Sequence, residues 1–286
     1  MAPVWFITGA SNGLGLILSL AARKAGYQVI AAMRNPSRSV NAVKAVESAG
    51  GRVFQLDMTE SQESITNKLH SAEGIYGTID VLINNAGYST LGSFESFSES
   101  EITAMFRTNV YGPVFAAQAV LPGMRARRSG TIVNISSIAG QDAVPTCSLY
   151  SGSKFGLEGF TEALSKEVKD FGISVLIVEL GAFRTNFLAA LGVSEKGIGE
   201  AYKGTVVDEV LQRFQAADGK QAGDPEKAAQ SIIDVVAGTG EAGHLKGQIL
   251  RLVLGKDAYA RIKTKTEKLY KDMEVSHSVT HGTDIE

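Results

Sequence analysis

"VWFITGASNGLGLILSLAARKAG", residues 4 to 26, is the stretch on which the fold turns. Val4 to Thr8 is apolar up to its closing threonine, the habit of a parallel strand covered by helices on both faces. From Leu14 onward apolar residues recur at i, i+3 and i+4, and the run closes on Gly26, as a helix does. Between the two, "TGASNGLG" turns the chain from strand into helix within a few residues. Glycines at 9, 13 and 15 permit a tight turn, close backbone approach and a helix set near the sheet. The helix start then offers free N–H groups and a partial positive charge to a pyrophosphate. The segment therefore predicts a dinucleotide site built from Thr8, Gly9, Ser11, Asn12, Gly13, Leu14 and Gly15. Its spacing is neither GxGxxG nor a Walker A loop, which would end in Gly-Lys-Ser/Thr.

The same alternation of strand and helix continues along the chain. "YQVIAAM", "RVFQLD", "DVLINN", "TIVNIS", "ISVLIVEL" and "QILRLVL" bring the expected strands to seven, with helical patterns such as "GLEGFTEALSKEVKDFG" between them. Strand, helix, strand repeated in this way means a doubly wound α/β sheet with helices on both faces. Ligands of such sheets sit beyond the carboxyl ends of the strands.

Composition fits that reading. The 286 residues are expected to form one domain, residues 1 to 286, with 44% hydrophobic and 20% charged residues. A net charge of -2 removes the electrostatic case for nucleic acid. The single cysteine, Cys147, cannot form an internal disulfide, which suits a reducing compartment. "MAPVWFITGAS" leaves no room for a secretory signal, and no run reaches the ~18 to 20 apolar residues of a membrane span, so the expected location is cytoplasmic.

The second strand ends in "AAMRNPSRS". A site for an unphosphorylated ribose places an acid about 20 residues past the glycines. Here the first acid after the motif is Glu47, and Arg34 and Arg38 stand in its place. Arginine suits a phosphate dianion, so the expected cofactor is NADP, held chiefly by Arg34, with Arg38 and Ser37 as further candidates. Asp57, beside Met58 in "LDMT", either accepts from an adenine amino group or caps a helix. "NNAG", Asn84 to Gly87, lets backbone pass close to the cofactor through Asn85, Ala86 and Gly87. Asn109 lies in a helical pattern that its propensity does not favour, so it either caps a local kink or carries a functional hydrogen bond.

The fifth strand, "TIVNISSIAG", ends in Ser136 and Ser137, and "SLYSGSK" places Tyr150 and Lys154 one helical turn apart shortly afterwards. "YARIK" repeats that spacing at Tyr259 and Lys263, but after the last strand and with no serine-bearing strand end before it. The first pair is the expected site.

Taken in order over roughly residues 4 to 255, "TGASNGLG", "NNAG", Asn109, Ser137 and "YSGSK" resemble the short-chain dehydrogenase/reductase family in its single-domain form. "RNPSR" and "LVLGKDAYARI" are similar to its hydroxysteroid and retinol dehydrogenase-like carbonyl reductases. The resemblance implies a parallel seven-stranded Rossmann-like sheet and a catalytic tetrad of Asn109, Ser137, Tyr150 and Lys154. It also implies that Asn109 holds a water relaying protons to Lys154, and a homodimer or homotetramer packed through the helices bearing Asn109 and Tyr150. "ELGAFRTNF" resembles the family's segment over the nicotinamide, with Gly181, Phe183 and Thr185 matching and Leu180 where proline is usual. That loss of a fixed φ angle puts the loop's rigidity in question.

The chemistry asks for these residue types. Carbonyl reduction leaves an alkoxide that must gain a proton, which a phenol can give. An ammonium one turn away favours the ionised phenol, and a serine hydroxyl can orient the carbonyl and steady its growing charge. Tyr150 and Lys154 are also expected to meet the cofactor.

Residues 186 to 224 read as a helical lid, with Phe187, Leu188, Leu191, Tyr202, Val206, Val210 and Leu211 as its apolar side. Ser89, Leu91, Ser137, Gln141, Ala143, Cys147, Leu149 and Phe187 are candidate pocket residues, and their mostly apolar character favours a hydrophobic ketone, aldehyde or alcohol. Residues 256 to 286 read as a basic helical tail, docked on the domain or on a partner subunit. His277 and His281 share a face there without a third ligand, and no metal is expected. Two other functions use similar parts: a nucleotide-sugar epimerase or dehydratase, and a non-catalytic NADP-binding redox sensor.

Overall fold

In the computed structural model, which describes residues 2–285, β1 (Val4–Thr8) is buried along its whole length. Its side chains alternate between two cores, as strand geometry requires. Trp5 and Ile7 join one apolar cluster, and Val4 and Phe6 join another. The first cluster takes Leu18 and Ala22 from α1 (Gly13–Lys24), Val46 from α2 (Val40–Ser48), and Ile232 and Ile233 from α8 (Pro225–Ala237). The second takes Ile65 and Leu69 from α3 (Gln62–Tyr76), and Val120 and Met124 from α5 (Gly112–Arg127). Each of the Val, Leu, Ile and Met side chains among them contributes about 1.5–3 kcal/mol when fully buried, so two helical layers clamp one sheet.

That sheet has seven strands, all parallel. With β2 (Gln28–Met33), β3 (Arg52–Gln55), β4 (Val81–Asn84), the short β5 (Thr90–Leu91), β6 (Gly130–Ile135), β7 (Ile173–Leu180), the short β8 (Gly192–Val193) and β9 (Arg251–Leu254), its order is β3-β2-β1-β4-β6-β7-β9. The order reverses between β1 and β4, and the crevice beyond those two strand ends is where such sheets bind ligands. The fold is the Rossmann-like α/β architecture expected, with all seven strands where the apolar runs placed them.

Several details differ. β3 stops at Gln55, so Asp57 stands two residues past it. The pattern "GLEGFTEALSKEVKDFG" does not make one helix. α6 (Ser148–Glu167) gives way to a 3-10 turn at Lys169–Phe171, closed by Gly172 at φ 68°. A Cβ on Gly172 would sit 2.5 Å from the Arg128 carbonyl oxygen. β5 and β8 pair with each other in a second small sheet, which ties residues 90–91 to 192–193.

Helix starts follow local chemistry. Ser98 and Glu101 form a capping box on α4 (Glu99–Phe106), and Asp224 caps α8. α1, like α2 and α6, lacks such a cap. Asn12 stands at its N-cap without a side-chain bond, and no acid occupies its first turn. α7 (Val206–Ala216) has no buried residue, and α9 (Lys256–His281) buries only Ala258. Among the described residues no helix is long and apolar enough to cross a membrane.

Candidate active site

The loop after β1 is built to receive backbone. Gly9 has φ 67° and Gly13 φ 51°, both unfavourable for a side chain. A Cβ on Gly9 would lie 2.7 Å from Ala86 Cα, and one on Gly15 would overlap the Asn85 amide and the Gly9 carbonyl. "NNAG" is latched to this loop. The Thr8 hydroxyl accepts from the Asn85 and Ala86 N–H groups, each at 3.0 Å, and Asn85 Nδ2 donates to the Thr8 carbonyl at 3.0 Å. Ser11 and Leu14 are half-buried and Asn12 is exposed, so the uncapped start of α1 faces solvent. Free N–H groups over a glycine cradle fit a pyrophosphate.

Beyond β2, Arg34 and Arg38 are both exposed. Asn35 organises this turn: its Oδ1 accepts from the Arg38 N–H at 3.3 Å and from the Ser37 hydroxyl at 2.7 Å. Ser37 is thereby engaged inside the turn. Asp57 caps a tight turn rather than α3, with Oδ1 accepting from the Thr59 N–H at 2.9 Å and from its hydroxyl at 2.8 Å; Ser61 caps the helix. Met58 is buried in the second core, against Gly112.

Asn109 lies in a π-helical turn, Arg107–Tyr111, between α4 and α5. The local distortion expected there is this turn, a kind that often marks sites. Its Oδ1 accepts from the Tyr88 N–H at 3.1 Å, and its Nδ2 donates to the Tyr88 carbonyl and the Ser153 hydroxyl, each at 3.0 Å. Tyr150 and Lys154 are 8% and 4% exposed. Lys154 Nζ donates to the Ile135 carbonyl at 2.8 Å and lies 5.8 Å from the Tyr150 ring centre. Asn109 and Lys154 both face Gly87, where an added Cβ would meet Asn109 Oδ1 at 3.2 Å and Lys154 Nζ at 3.5 Å. Asn109, Tyr150 and Lys154 therefore converge, and the Ser137 hydroxyl lies near enough to the phenol to favour its ionised form.

Burial dominates the electrostatics of the pair. It pushes Tyr150 well up, the Ser137 hydroxyl pulls it partly back, and Cys147 adds to the rise. Burial lowers Lys154 itself to about 8, against the pull of Glu158. The Cys147 thiol is pushed up to about 11, chiefly by burial.

After β7, Gly181 and Ala182 pack on Asp257. Ala182 N–H donates to Asp257 Oδ2 at 2.8 Å, and a Cβ on Gly181 would overlap that carboxylate. The Gly181 N–H reaches the Leu254 carbonyl at 2.9 Å, and Arg184 grips the Gln221 carbonyl at 3.0 Å. These bonds hold the loop where Leu180 replaces proline. Phe183 bridges to Gly223, and Thr185 packs 3.6 Å from where a Gly13 Cβ would stand.

Phe187 reaches over the tetrad, its ring 5.8 Å from that of Tyr150. Leu149 and Tyr150 share a small core with Met105 and Ala139, while Cys147, Ser89 and Leu91 are each buried. Ala143 is exposed, and the Gln141 amide donates inward to Glu158. Apolar side chains of the 186–224 segment are half-buried at Leu188, Leu191, Tyr202, Val210 and Leu211 and exposed at Val206.

Sequence reasoning missed Glu158, Asp257, Asn35 and Ser153. Only Glu158 left a trace: it follows Lys154 by one helical turn and so shares its face. Among the described residues no group of three or more His, Cys, Asp or Glu could hold a metal ion.

Comparison with known proteins agrees with this geometry. A family model described as short chain dehydrogenase matches residues 3–196. The chain is 42% identical to an oxidoreductase of Passalora fulva, claN, over 74% of its own length and 96% of the relative's. It is 35% identical to retinol dehydrogenase 8 of Homo sapiens, over 82% and 77%. The crystal structure of a short-chain dehydrogenase from Streptomyces avermitilis superposes with a TM-score of 0.85 at 36% identity, covering 99% of this chain and 98% of that one.

Proposed function

Since the chain belongs to the short-chain dehydrogenase family, whose members are oxidoreductases of nicotinamide cofactors, we propose that it reduces a hydrophobic ketone or aldehyde to the alcohol, reversibly, with NADPH. The observation that carries this reading is the buried Tyr150, whose phenol burial raises so that it keeps its proton. Reduction consumes that form. An alkoxide is far more basic than a phenolate, so it takes the proton even from a phenol raised by burial.

The bound cofactor would lie with its pyrophosphate over Gly9, Gly13 and the free start of α1, and its nicotinamide end near Gly181, Phe183 and Thr185. When bound, it supplies the hydride and, once spent, a positive ring. The chain's own groups do the rest. Ser137 donates to the substrate oxygen and steadies the growing charge. Tyr150 delivers the proton, and Lys154 stabilises the phenolate left behind. Asn109 fixes the turn that faces Lys154, with both ends of its amide already engaged. Phe187 and the 186–224 segment exclude water from the reacting carbon.

Preference for the phosphorylated cofactor is supported by Arg34, exposed at the end of β2 with no side-chain bond among the described residues, and by the absence of an acid there. An apolar substrate is supported by the Phe187, Leu149 and Cys147 surroundings and by a relative named for retinol, an apolar alcohol. Assembly through the helices bearing Asn109 and Tyr150 is supported by exposed Tyr111, Phe155 and Phe160 on them. The test is NADPH absorbance against a panel of apolar ketones and aldehydes, with the alcohol measured as product. Stoichiometric loss of NADPH is expected. Tight NADPH binding without turnover across the panel would overturn the catalytic reading.

A further inference from the structure

Below the tetrad lies a buried carboxylate that the reaction above does not use. Tyr150, Lys154 and Glu158 recur at intervals of four along α6 and so share one face. Glu158 is 2% exposed. Its Oε1 accepts from the Ser136 hydroxyl at 2.5 Å, and Ser136 is the neighbour of Ser137 at the end of β6. Its Oε2 accepts from the Gln141 amide and meets Arg251 Nε of β9 at 3.4 Å. Gly140 packs so closely that a Cβ would overlap the carboxylate and stand 2.7 Å from the Ser136 oxygen.

Stability does not explain this arrangement. Glu179 on β7 is fully buried beside it, and Arg251 is shared among Glu158, Glu179 at 3.2 Å and Glu162 at 3.0 Å. Neither Glu179 oxygen finds a hydrogen bond among the described residues. Crowded buried carboxylates cost more than apolar residues of the same size. What the Glu158 carboxylate does accomplish is to join a strand end, a turn and a helix, each of which carries a group of the site.

We infer that Glu158 is a positioning residue for the reaction proposed above. Its carboxylate holds the Ser137 strand end, the Gln141 turn and the Lys154 helix in one register and sets a counter-charge one helical turn from the Lys154 ammonium on the same face, beyond ion-pair distance. The inference rests on the proposed reduction, and its test separates the two. The groups that bear on it are few. Lys154 faces Tyr150 and Glu158 from its own helix, the Ile135 carbonyl from β6 and Asn109 from the π-turn. Glu158 faces Arg251 and Glu179 from the strands, with Glu162 one turn on. Arg261 and Asp142 pair at 2.7 Å beside Gln141.

The experiment compares kcat against pH for wild type, Glu158→Gln and Ser136→Ala, together with the nitrogen NMR titration of Lys154, assigned by its loss in Lys154→Arg. Reduction needs the ammonium, so activity falls as pH rises through the Lys154 titration. Without its counter-charge, that alkaline limb and the NMR midpoint are expected to move down by ~1 pH unit in Glu158→Gln. Its kcat is expected to fall about tenfold or more from lost register. Ser136→Ala keeps the charge, so kcat falls while the limb stays. A folded Glu158→Gln with the wild-type limb and midpoint overturns the inference and leaves the reduction standing. If wild type binds NADPH but reduces nothing, the reduction fails, and an unshifted NMR midpoint in Glu158→Gln then overturns the counter-charge as well. Should Glu158→Gln melt below assay temperature, Glu158→Asp decides. Its shorter side chain keeps the limb but loses Ser136, and a wild-type kcat there overturns the positioning role.

Discussion

Two segments of this chain carry a tyrosine and a lysine four residues apart, Tyr150 with Lys154 on α6 and Tyr259 with Lys263 on α9. Tyr150 is 8% exposed and Tyr259 64%. Burial raises Tyr150, lowers Lys154 to about 8 and leaves the pair dependent on named partners. Among the described residues Lys263 makes an ion pair only with Glu267, at 3.9 Å, one turn along its own helix. The spacing is the same and the chemistry is not. Reactivity here comes from what the sheet places around α6: a serine at a strand end, a carbonyl, an asparagine in a π-turn and a carboxylate underneath.

The sharpest way to break that contrast is Tyr150→Phe. It keeps the ring beside Phe187 and removes the proton donor, so kcat for reduction is expected to fall about 10²–10⁴-fold with the melting temperature held. A variant as fast as wild type would leave the buried pair no more catalytic than the exposed one. Ser137→Ala removes the donor to the substrate oxygen and should lower kcat about 10²–10³-fold, with KM for NADPH unchanged. If both parameters moved together, Ser137 would be holding the loop rather than the substrate.

Arg34 extends the contrast to exposed residues. Here exposure is what a ligand needs, since the side chain is otherwise unengaged. Arg34→Ala is expected to raise KM for NADPH about 10- to 100-fold and to leave that for NADH within about twofold. Equal losses for both cofactors would remove the phosphate from the argument.

Most of the fold was legible because a buried parallel sheet writes itself as unbroken apolar runs, and all seven strands follow them. The glycine loop was legible for a similar reason, as only glycine fits against Ala86 and Asn85. Asp257 was not, because it reaches Gly181 and Ala182 from 75 residues away and looks like an ordinary acid in a helix's first turn. The rise at Tyr150 was not legible either, because four-residue spacing shows that a lysine is near a phenol but not how deeply the fold buries that phenol. The β5–β8 pairing, two residues on each side, is too short to leave any pattern in the sequence.

A stability measurement probes the buried side more gently. Burial and Glu158 raise the Glu179 carboxyl well above its usual range, with Arg251 only partly opposing. A raised folded-state value means that the native protein holds its proton longer than the unfolded chain. Its stabilising share is therefore complete below the ordinary carboxylate range and is lost as pH rises to about 7. Glu179→Gln cannot ionise, so its melting temperature should gain on wild type between pH 4.5 and pH 8, on the order of 2 °C. An offset constant with pH would show that Glu179 is ionised throughout.

The smallest effect belongs to the exposed pair. Tyr259→Phe and Lys263→Met are expected to leave kcat, KM and melting temperature at wild-type values, within about twofold for the kinetic terms. Arg261, between them in the same stretch, should not be silent. It donates to the Asp142 carboxylate at 2.8 Å and to its carbonyl at 2.9 Å, next to Gln141. Arg261→Met should therefore raise KM for the carbonyl substrate by several-fold, since the turn that bears Gln141 loses its outer support. A scan in which Tyr259 and Lys263 matter as much as Arg261 would mean that α9 covers the substrate along its whole first half. The contrast between the two tyrosines would then be one of role rather than of burial.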